Sequence, residues 1–445
     1  MPTRYWETYV PDARMPWNLL RVVHLHRRVA FAAPWDVLQR DLKAGPQASI
    51  DRLLAGEEKE HVPAEFRETA VVLAEAAATA GEINRLKAAW FYRMVYGHDP
   101  LGERLVLMWH DHFATGNAKV RNVRLMQRQN ELFRSHARSK FALLLNAVVR
   151  DAAILVYLDA STNRKGHPNE NLARELMELF TLGIGNYNET DVKEAARCLT
   201  GWGVKEDKFE DDAARHDDGE KTSFGKTGKL TGTDLVNQLL EQPSTADRLA
   251  DKLVRTFFGE GACSREAMKE LATGLRERDL NIGWAVETIL RSRLFFADGN
   301  IRTRVTAPAE FIAGAARALG LFDPAPSTLA LADWSARMGQ DLFDPPNVGG
   351  WPGGRTWISS RALIARSNYV AALIEGPNAG RAEAYDPTSA AKTAGFGTGR
   401  ADLLAYHNLL LVGSNPTAEL TSRLGKLEGR KLVTALLSSP EAQLG

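Results

Sequence analysis

The sequence predicts an all-α protein, built as a large multi-helix, bundle-like array. Apolar residues recur at three-and-four spacing along most of the 445 residues, whereas the apolar/polar alternation of strands is scarce. Breakers interrupt this pattern at short intervals, as at 97–100 and 115–117, which favours short connections and antiparallel packing of neighbouring helices. Two irregular polar or glycine-rich insertions, 203–232 and 341–357, lack helical periodicity, and the first is compatible with a small β-hairpin.

The periodicity divides the chain into four segments. Residues 1–202 form an N-terminal helical block that carries the candidate site, with apolar stripes at 17–30, 35–42, 64–96, 102–113, 120–138 and 141–159. After the polar loop 203–232, a second helical block covers 233–375, contains the Pro/Gly/Trp loop 341–357 and ends in a helix predicted at 360–375. We expect it to share a domain with the first block. Residues 376–445 begin with a Gly- and Ala-rich stretch, predicted to be a flexible connection, and end in helices.

Charge and motif content exclude several classes of function. Lys plus Arg number 56 and Asp plus Glu 55, so the chain has no overall field of the kind that collects nucleic acid. The two cysteines cannot form a disulfide framework, and no Cys/His spacing for zinc occurs. The glycine-containing run at 219–228 fails as a phosphate loop because Glu220 stands where that motif needs glycine. With no nucleotide or haem motif, a divalent metal is the cofactor alternative left open.

No stretch has the roughly 18 consecutive apolar residues of a membrane span, and no signal peptide is visible at the N-terminus. We therefore expect no membrane span and a cytoplasmic location.

The segment 163–202 is the most chemistry-like part of the sequence. Projecting 169–182 onto a regular helix places Glu175 at the rim of an apolar arc, with Glu178 beside it. Partial burial at such a rim can raise the pKa of a carboxyl enough for general acid or base catalysis. We predict that Glu175 and Glu178 are catalytic. The alternative is that Glu178 is solvated and Glu175 caps a helix or pairs with an arginine.

Polar groups around this helix are the candidate ligand-binding residues. The basic turn 163–168 precedes a helix N-terminus, an arrangement that favours an anion. Indole rings at 202 and 351 are candidates for a sugar-stacking wall, although a Trp in such a loop also commonly plugs the core. The predicted substrate-binding residues are Asn163, Lys165, Asn169, Asn171, Arg174, Arg197, Trp202, Lys221 and Trp351.

Two further groups are candidate chemical partners of Glu175. His110, in the run WHDHF, and Asp217, in the polar loop, are predicted to support catalysis. The alternatives are a core histidine bonded to backbone and an exposed turn. A metal site is the other option, with candidate ligands His110, His112, Glu175, Glu178 and His216.

Several motifs resemble those of the bacterial family catalogued as domain of unknown function 1800. The resemblance covers nearly the whole chain, in stretches 24–28 (HLHRR), 93–96 (RMVY), 109–113 (WHDHF), 157–159 (YLD), 163–183, 191–202 (DVKEAARCLTGW), 216–222, 338–343 (MGQDLF) and 345–357. It implies a helical fold but no particular activity. It also implies a partner of the family catalogued as domain of unknown function 1501, which looks like sulfatases and alkaline phosphatases. Because many relatives look exported, a periplasmic location is the alternative to the cytoplasm.

Three functions are consistent with these patterns. We expect a hydrolase or lyase that acts on a glycan or other polar polymer through carboxylate general acid/base chemistry. The first alternative is a metal-dependent enzyme with His and Glu ligands. The second is a non-catalytic binding or assembly protein, in which the polar residues of 163–202 form a buried network that fixes the helices or docks the sulfatase-like partner.

Overall fold

Helices make up most of the chain, as the spacing of its apolar residues predicts. The computed structural model describes residues 4–56, 64–259, 261 and 263–445. Across these ranges it contains 24 α-helices and two small antiparallel sheets of two strands each, which confirms the all-α class. Residues 1–3 and 57–63 of the predicted N-terminal block lie outside the described residues.

Among the described residues, ten helices precede the candidate site: α1 (Leu19–Val29), α2 (Trp35–Ala44), α3 (Pro46–Ala55), α4 (Ala64–Ala80), α5 (Ile83–Tyr96), α6 (Pro100–His112), α7 (Asn117–Val120), α8 (Val123–His136), α9 (Phe141–Val148) and α10 (Ala152–Tyr157). Two apolar stripes that suggested single helices are split. Gly81, with φ of +67°, separates α4 from α5. Asp151 separates α9 from α10, because its side chain caps α10 by accepting the N–H of Ile154.

The candidate hairpin follows a 3₁₀ turn (Ala160–Thr162). It consists of α11 (Asn171–Glu175), a π-helical turn (Leu176–Thr181) and α12 (Glu189–Cys198). The insertion after it forms two β-hairpins rather than one. Strand β1 (Trp202–Lys205) pairs with β2 (Lys208–Asp211), and β3 (Lys221–Ser223) pairs with β4 (Lys226–Gly228). The second hairpin contacts α12, so the insertion is packed against the candidate site.

The second helical block contains α13 (Gly232–Glu241), α14 (Pro243–Phe257), α15 (Arg265–Arg276), α16 (Ile282–Arg291), α17 (Pro308–Ala318), α18 (Thr328–Arg337) and α19 (Ser360–Glu375). Short 3₁₀ turns lie at Asp298–Asn300, Gly354–Ile358 and Pro377–Ala379. The chain ends with α20 (Pro387–Thr393), α21 (Arg400–Val412), α22 (Ala418–Leu424), α23 (Gly429–Leu437) and α24 (Pro440–Gln443). Residues 376–399 therefore differ from the expected flexible connection: they include α20, and Tyr385 within them is buried.

One continuous cluster of buried apolar side chains extends from Trp6 to Leu437 and includes residues of both helical blocks. A small separate cluster comprises Ala307, Trp351 and Trp357, with Val305 packed against it. The division into four segments stays a prediction. In the described part of the chain, no helix combines the length and apolar character that a membrane span requires.

Candidate functional site

Glu175 lies at the junction between α11 and the π-helical turn and is half-buried. Within the described ranges, no hydrogen bond or ion pair reaches its carboxylate oxygens. Burial raises the pKa of this carboxyl above its ordinary value of 4.5, and the nearby Glu178 carboxylate raises it further. A carboxyl that is partly desolvated and has no structural partner is a candidate proton donor or acceptor.

The turn after Glu175 is wider than an α-helical turn. The Leu182 N–H donates to the carbonyl of Met177 five residues earlier, at 2.8 Å. Side chains from other helices bond to the last carbonyls of this turn: His112 Nε2 lies 3.1 Å from the Phe180 oxygen, and Arg248 Nε lies 3.3 Å from the Leu179 oxygen. Single π turns frequently occur at functional sites, because the extra residue per turn re-aims the side chains.

Glu178 is held by a tyrosine. The Tyr187 hydroxyl, on the chain that returns after the glycine turn at 183–185, donates a hydrogen bond to Glu178 Oε2. Burial and this bond to a carboxylate raise the pKa of Tyr187 to about 12, so the phenol keeps its proton. Glu178 therefore has a fixed neighbour, whereas Glu175 has none.

Tyr157 also belongs to the surroundings of Glu175, and Asp344 lies near Tyr157. Burial raises the pKa of the Tyr157 phenol, and the carboxylates of Asp344 and Glu175 raise it further. Both Tyr157 and Asp344 approach Gly116 so closely that a Cβ there would lie 3.3 Å from Tyr157 Cε2 and 3.5 Å from Asp344 Oδ1. Lys119 Nζ lies 5.7 Å from the centre of the Tyr157 ring and pairs with Asp159 Oδ2 at 2.6 Å.

Asn163 is a fully bonded buried amide. Its Nδ2 donates to the Ala196 carbonyl at 2.8 Å, and its Oδ1 accepts the Asn169 N–H at 2.9 Å. Asn169 Oδ1 in turn accepts the Asn171 N–H, and Asn171 Nδ2 donates to the Leu158 carbonyl. These three predicted substrate-binding residues thus hold the entry of α11 against α12 and the end of α10.

Replacing Asn163 by alanine should lower the free energy of unfolding by about 1–3 kcal/mol, because the Ala196 carbonyl and the Asn169 N–H lose their buried partner. Chemical denaturation measures this change. Asn368→Ala, at an exposed position of α19, is the matched control and should change stability by less than about 0.5 kcal/mol. An equal effect of the two substitutions would show that the Asn163 network is not stabilising.

Asp217, predicted to be catalytic, is part of an ion-pair network. Arg197 Nε donates to Asp217 Oδ2 at 2.7 Å and holds the pKa of that carboxyl at about 2. The Gly219 N–H occupies Asp217 Oδ1, and Arg197 also pairs with Glu194. His216 Nδ1 lies 2.8 Å from the Thr200 carbonyl oxygen. Asp217 therefore holds the polar loop against α12. This structural role accounts for its bonds and its lowered pKa without a substrate.

The basic residues predicted to bind substrate also have protein partners. Lys165 pairs with Asp218, and Arg174 pairs with Glu189 and Glu170. Lys221 is 1% exposed, and its Nζ donates to the Leu230 carbonyl at 2.8 Å.

Trp202 and Trp351 expose only 2% and 7% of their surface. The Arg150 guanidinium lies 4.9 Å from the Trp202 ring centre, and the Trp351 ring lies 5.5 Å from that of His110. Face-on stacking of sugars on both indoles would need broadly exposed ring faces, which neither ring has. The small exposed part of Trp351 lines a cleft beside α6 and α14.

Both histidines of the WHDHF run are core residues. His110 is 1% exposed, its Nε2 accepts the Phe343 N–H at 3.0 Å, and burial lowers its pKa to about 4. Burial also lowers the pKa of His112, with the nearby Lys252 charge acting in the same direction. Both imidazoles are thus neutral near pH 7, and each has a backbone partner.

The model of a family described as "Protein of unknown function (DUF1800)" matches residues 24–444. The chain belongs to this family. Neither a search of curated proteins nor a search of solved structures gave a match to this DUF1800 chain.

The structure of this DUF1800 protein brings together only some of the predicted site residues. Glu175 and Glu178 are neighbours, whereas the described ranges contain no group of three His, Cys, Asp or Glu side chains arranged to hold a metal ion. The metal site with His110, His112 and His216 stays a prediction. Sequence reasoning missed Tyr157, Asp344 and Tyr187. A weak signal was present for Asp344, because it lies within the irregular loop 341–357 and functional groups commonly lie in such loops.

Proposed function

We propose that the protein is a hydrolase or lyase that acts on a glycan or other polar polymer, with Glu175 as general acid or base. The observation that carries the proposal is the half-buried Glu175 carboxyl, which has a raised pKa and no bonding partner among the described residues. Asp217, by contrast, is paired and has a lowered pKa. Burial raises the pKa of Asp151 to about 6, but that carboxyl caps α10 and accepts a hydrogen bond from Gln129, so it is the missing partner that sets Glu175 apart. Glu175 thus has the environment of a reactive group rather than of a structural one.

The neighbours of Glu175 support a division of roles. Glu178 accepts the Tyr187 hydroxyl, and its proximity to Glu175 raises the pKa of the Glu175 carboxyl, which favours the protonated form of Glu175. A protonated Glu175 could donate its proton to the oxygen of a leaving sugar in hydrolysis. Ionised, it could remove a proton from the substrate in elimination. Tyr157 lies close enough to be coupled electrostatically to Glu175 and is a candidate to bind the substrate by its hydroxyl.

A panel of neutral and acidic polysaccharides tests this function. The purified protein should cleave at least one of them, giving new reducing ends in hydrolysis, or unsaturated, ultraviolet-absorbing ends in elimination. The Glu175→Gln variant, purified in parallel, should release neither product above the level of a blank. Equal cleavage by both proteins would show that the activity does not depend on Glu175.

The bonding of Asn163 favours a second function, that of a non-catalytic binding or assembly protein. In this proposal the hairpin 163–202 is a structural network that docks a partner of the sulfatase-like family. The satisfied amides of Asn163, Asn169 and Asn171 support it, because every one of them bonds to neighbouring protein groups. This second function does not explain why the Glu175 carboxyl has no hydrogen-bond or ion-pair partner among the described residues.

A further inference from the structure

A cleft of about 540 Å³ lies between α6, α14 and the Pro/Gly/Trp loop. Its size is within the range of about 300–1,000 Å³ that is usual for small-molecule sites. Glu175 is not among its lining residues. The cleft is therefore distinct from the Glu175 carboxyl, and the proposed chemistry at Glu175 does not use it.

The lining of this cleft is strongly basic in a chain whose formal net charge is only +1. Three acidic residues contribute, namely Asp111, Asp251 and Glu310. Twice as many basic residues line it: Arg104, Arg248, Lys252, Arg255, Arg304 and Arg355. The cleft thus concentrates an excess of three positive charges, and its protein walls strengthen their field.

Two of the cations have no acidic partner among the described residues. Arg248 bonds only to the Leu179 carbonyl, at 3.3 Å from both Nε and Nη2. Arg355 is exposed at the glycine-rich edge of the cleft. Along α14, Arg248, Lys252 and Arg255 follow one another at spacings of four and three, so they share one helix face. On this face Lys252 pairs with Asp111 and Arg255 pairs with Asp251, so among the described residues only the charge of Arg248 is not neutralised by a carboxylate.

Behind this face, buried guanidinium groups outnumber carboxylates. Arg104 and Arg304 both bond to Glu310, and Arg28 lies beside them with bonds only to neutral oxygens. The Nε atoms of Arg28 and Arg104 are buried without an acceptor. Burial lowers the pKa of Arg28 and of Arg104, and the charge of Arg304 lowers both further. An anion in the cleft would relieve this repulsion.

One wall of the cleft is apolar. Val305, Ala307, Trp351 and Trp357 line it and form the small cluster that is separate from the main core. The Trp351 backbone N–H is held by Asp111 Oδ1 at 2.9 Å, and Asp111 Oδ2 pairs with Lys252 Nζ at 2.5 Å. The apolar wall and the basic face are thus fixed relative to each other by one carboxylate.

We propose that this cleft binds a small organic phosphate, whose phosphate group contacts Arg248, Lys252 and Arg355 and whose organic part packs against the Trp351/Trp357 wall. The planar guanidinium group matches the spacing of phosphate oxygens. A phosphate dianion also neutralises more of the excess positive charge of the cleft than a ligand with a single carboxylate would. The proposal does not rest on the chemistry at Glu175, although Arg248 also bonds to the Leu179 carbonyl of the π-helical turn that follows Glu175.

Isothermal titration calorimetry at low ionic strength, with phenyl phosphate and inorganic phosphate as probes, tests the site. Phenyl phosphate should bind saturably and about tenfold more tightly than inorganic phosphate, because only it contacts the apolar wall. Phenol, which lacks the phosphate, should not bind measurably. Arg355→Gln and Arg248→Gln should each weaken phenyl phosphate binding by about three- to tenfold. Arg361→Gln, which removes the same charge from an exposed position of α19 outside the cleft, should leave it unchanged.

Several results would overturn the assignment. These are a lack of saturable binding by either phosphate, binding that Arg248→Gln and Arg355→Gln do not weaken, or equal weakening by Arg361→Gln. If inorganic phosphate binds as tightly as phenyl phosphate, the apolar wall has no role and the organic ligand class is wrong. Glu175→Gln should bind phenyl phosphate like the wild type, so a failure of the chemistry at Glu175 is distinguishable from a failure of this site.

Discussion

Glu310→Gln should lower the free energy of unfolding by about 3–5 kcal/mol, the range found when one partner of a buried ion pair is removed. Glu310 is 4% exposed, and Arg104 and Arg304 share its carboxylate. Both Nη atoms of Arg304 lie 2.6 Å from the Glu310 oxygens. A glutamine of the same shape keeps the packing but leaves these guanidinium groups, and Arg28 nearby, without a negative charge. Thermal and chemical denaturation measure the loss.

A surface pair provides the matched control for Glu310. Glu287 pairs with Arg291 across one turn of α16 and its side chain is 48% exposed, so Glu287→Gln should cost less than about 0.5 kcal/mol. Adding Arg304→Gln to Glu310→Gln should recover part of the lost stability, since one unpaired charge is then removed. If Glu310→Gln costs no more than the surface control, the buried guanidinium groups do not depend on this carboxylate.

The helical fold could be predicted because periodicity is a local property of the sequence. The helix predicted at 360–375 matches α19, Ser360–Glu375. The apolar stripe at 64–96 predicted one helix, which the structure divides at Gly81. An apolar pattern shows which face of a helix is buried, but it does not show where the backbone turns. The ordered conformation of 376–399 depends on distant contacts: the Tyr385 N–H donates to the Ile374 carbonyl, and its hydroxyl lies 3.1 Å from His407 Nε2. Such contacts leave no periodic signal.

The candidate site was only partly predictable, for two physical reasons. A projection at 100° per residue treats 169–182 as regular, and it cannot anticipate the π turn that begins directly after Glu175. The basic cleft is assembled from residues as far apart in the chain as Arg104 and Arg355. Its excess charge is balanced elsewhere in the sequence, so the net charge of +1 gives no sign of it.

Glu175→Gln should lower kcat on the polymer that the protein cleaves by about 10²- to 10⁴-fold, the usual contribution of a general acid or base. Its stability should barely change near pH 7, because no described residue bonds to the Glu175 carboxylate. The raised pKa fixes the sign of the small difference. The folded protein binds the Glu175 proton more tightly than the unfolded chain, so wild-type stability falls relative to the Gln variant as pH rises from about 4.5 through the raised pKa.

Melting temperatures and turnover, measured together across pH, decide between the two proposed functions. Under the enzymatic proposal, the variant melts with the wild type below about pH 4, melts slightly higher at neutral pH, and has lost turnover. Glu189→Gln is the control, since it removes a 70% exposed carboxylate of the same hairpin, and it should keep near wild-type turnover. A Glu175→Gln variant destabilised by about 2–4 kcal/mol would instead identify a buried structural group, and would favour the assembly function. Full turnover in that variant would exclude Glu175 as the catalytic acid or base, whatever its stability.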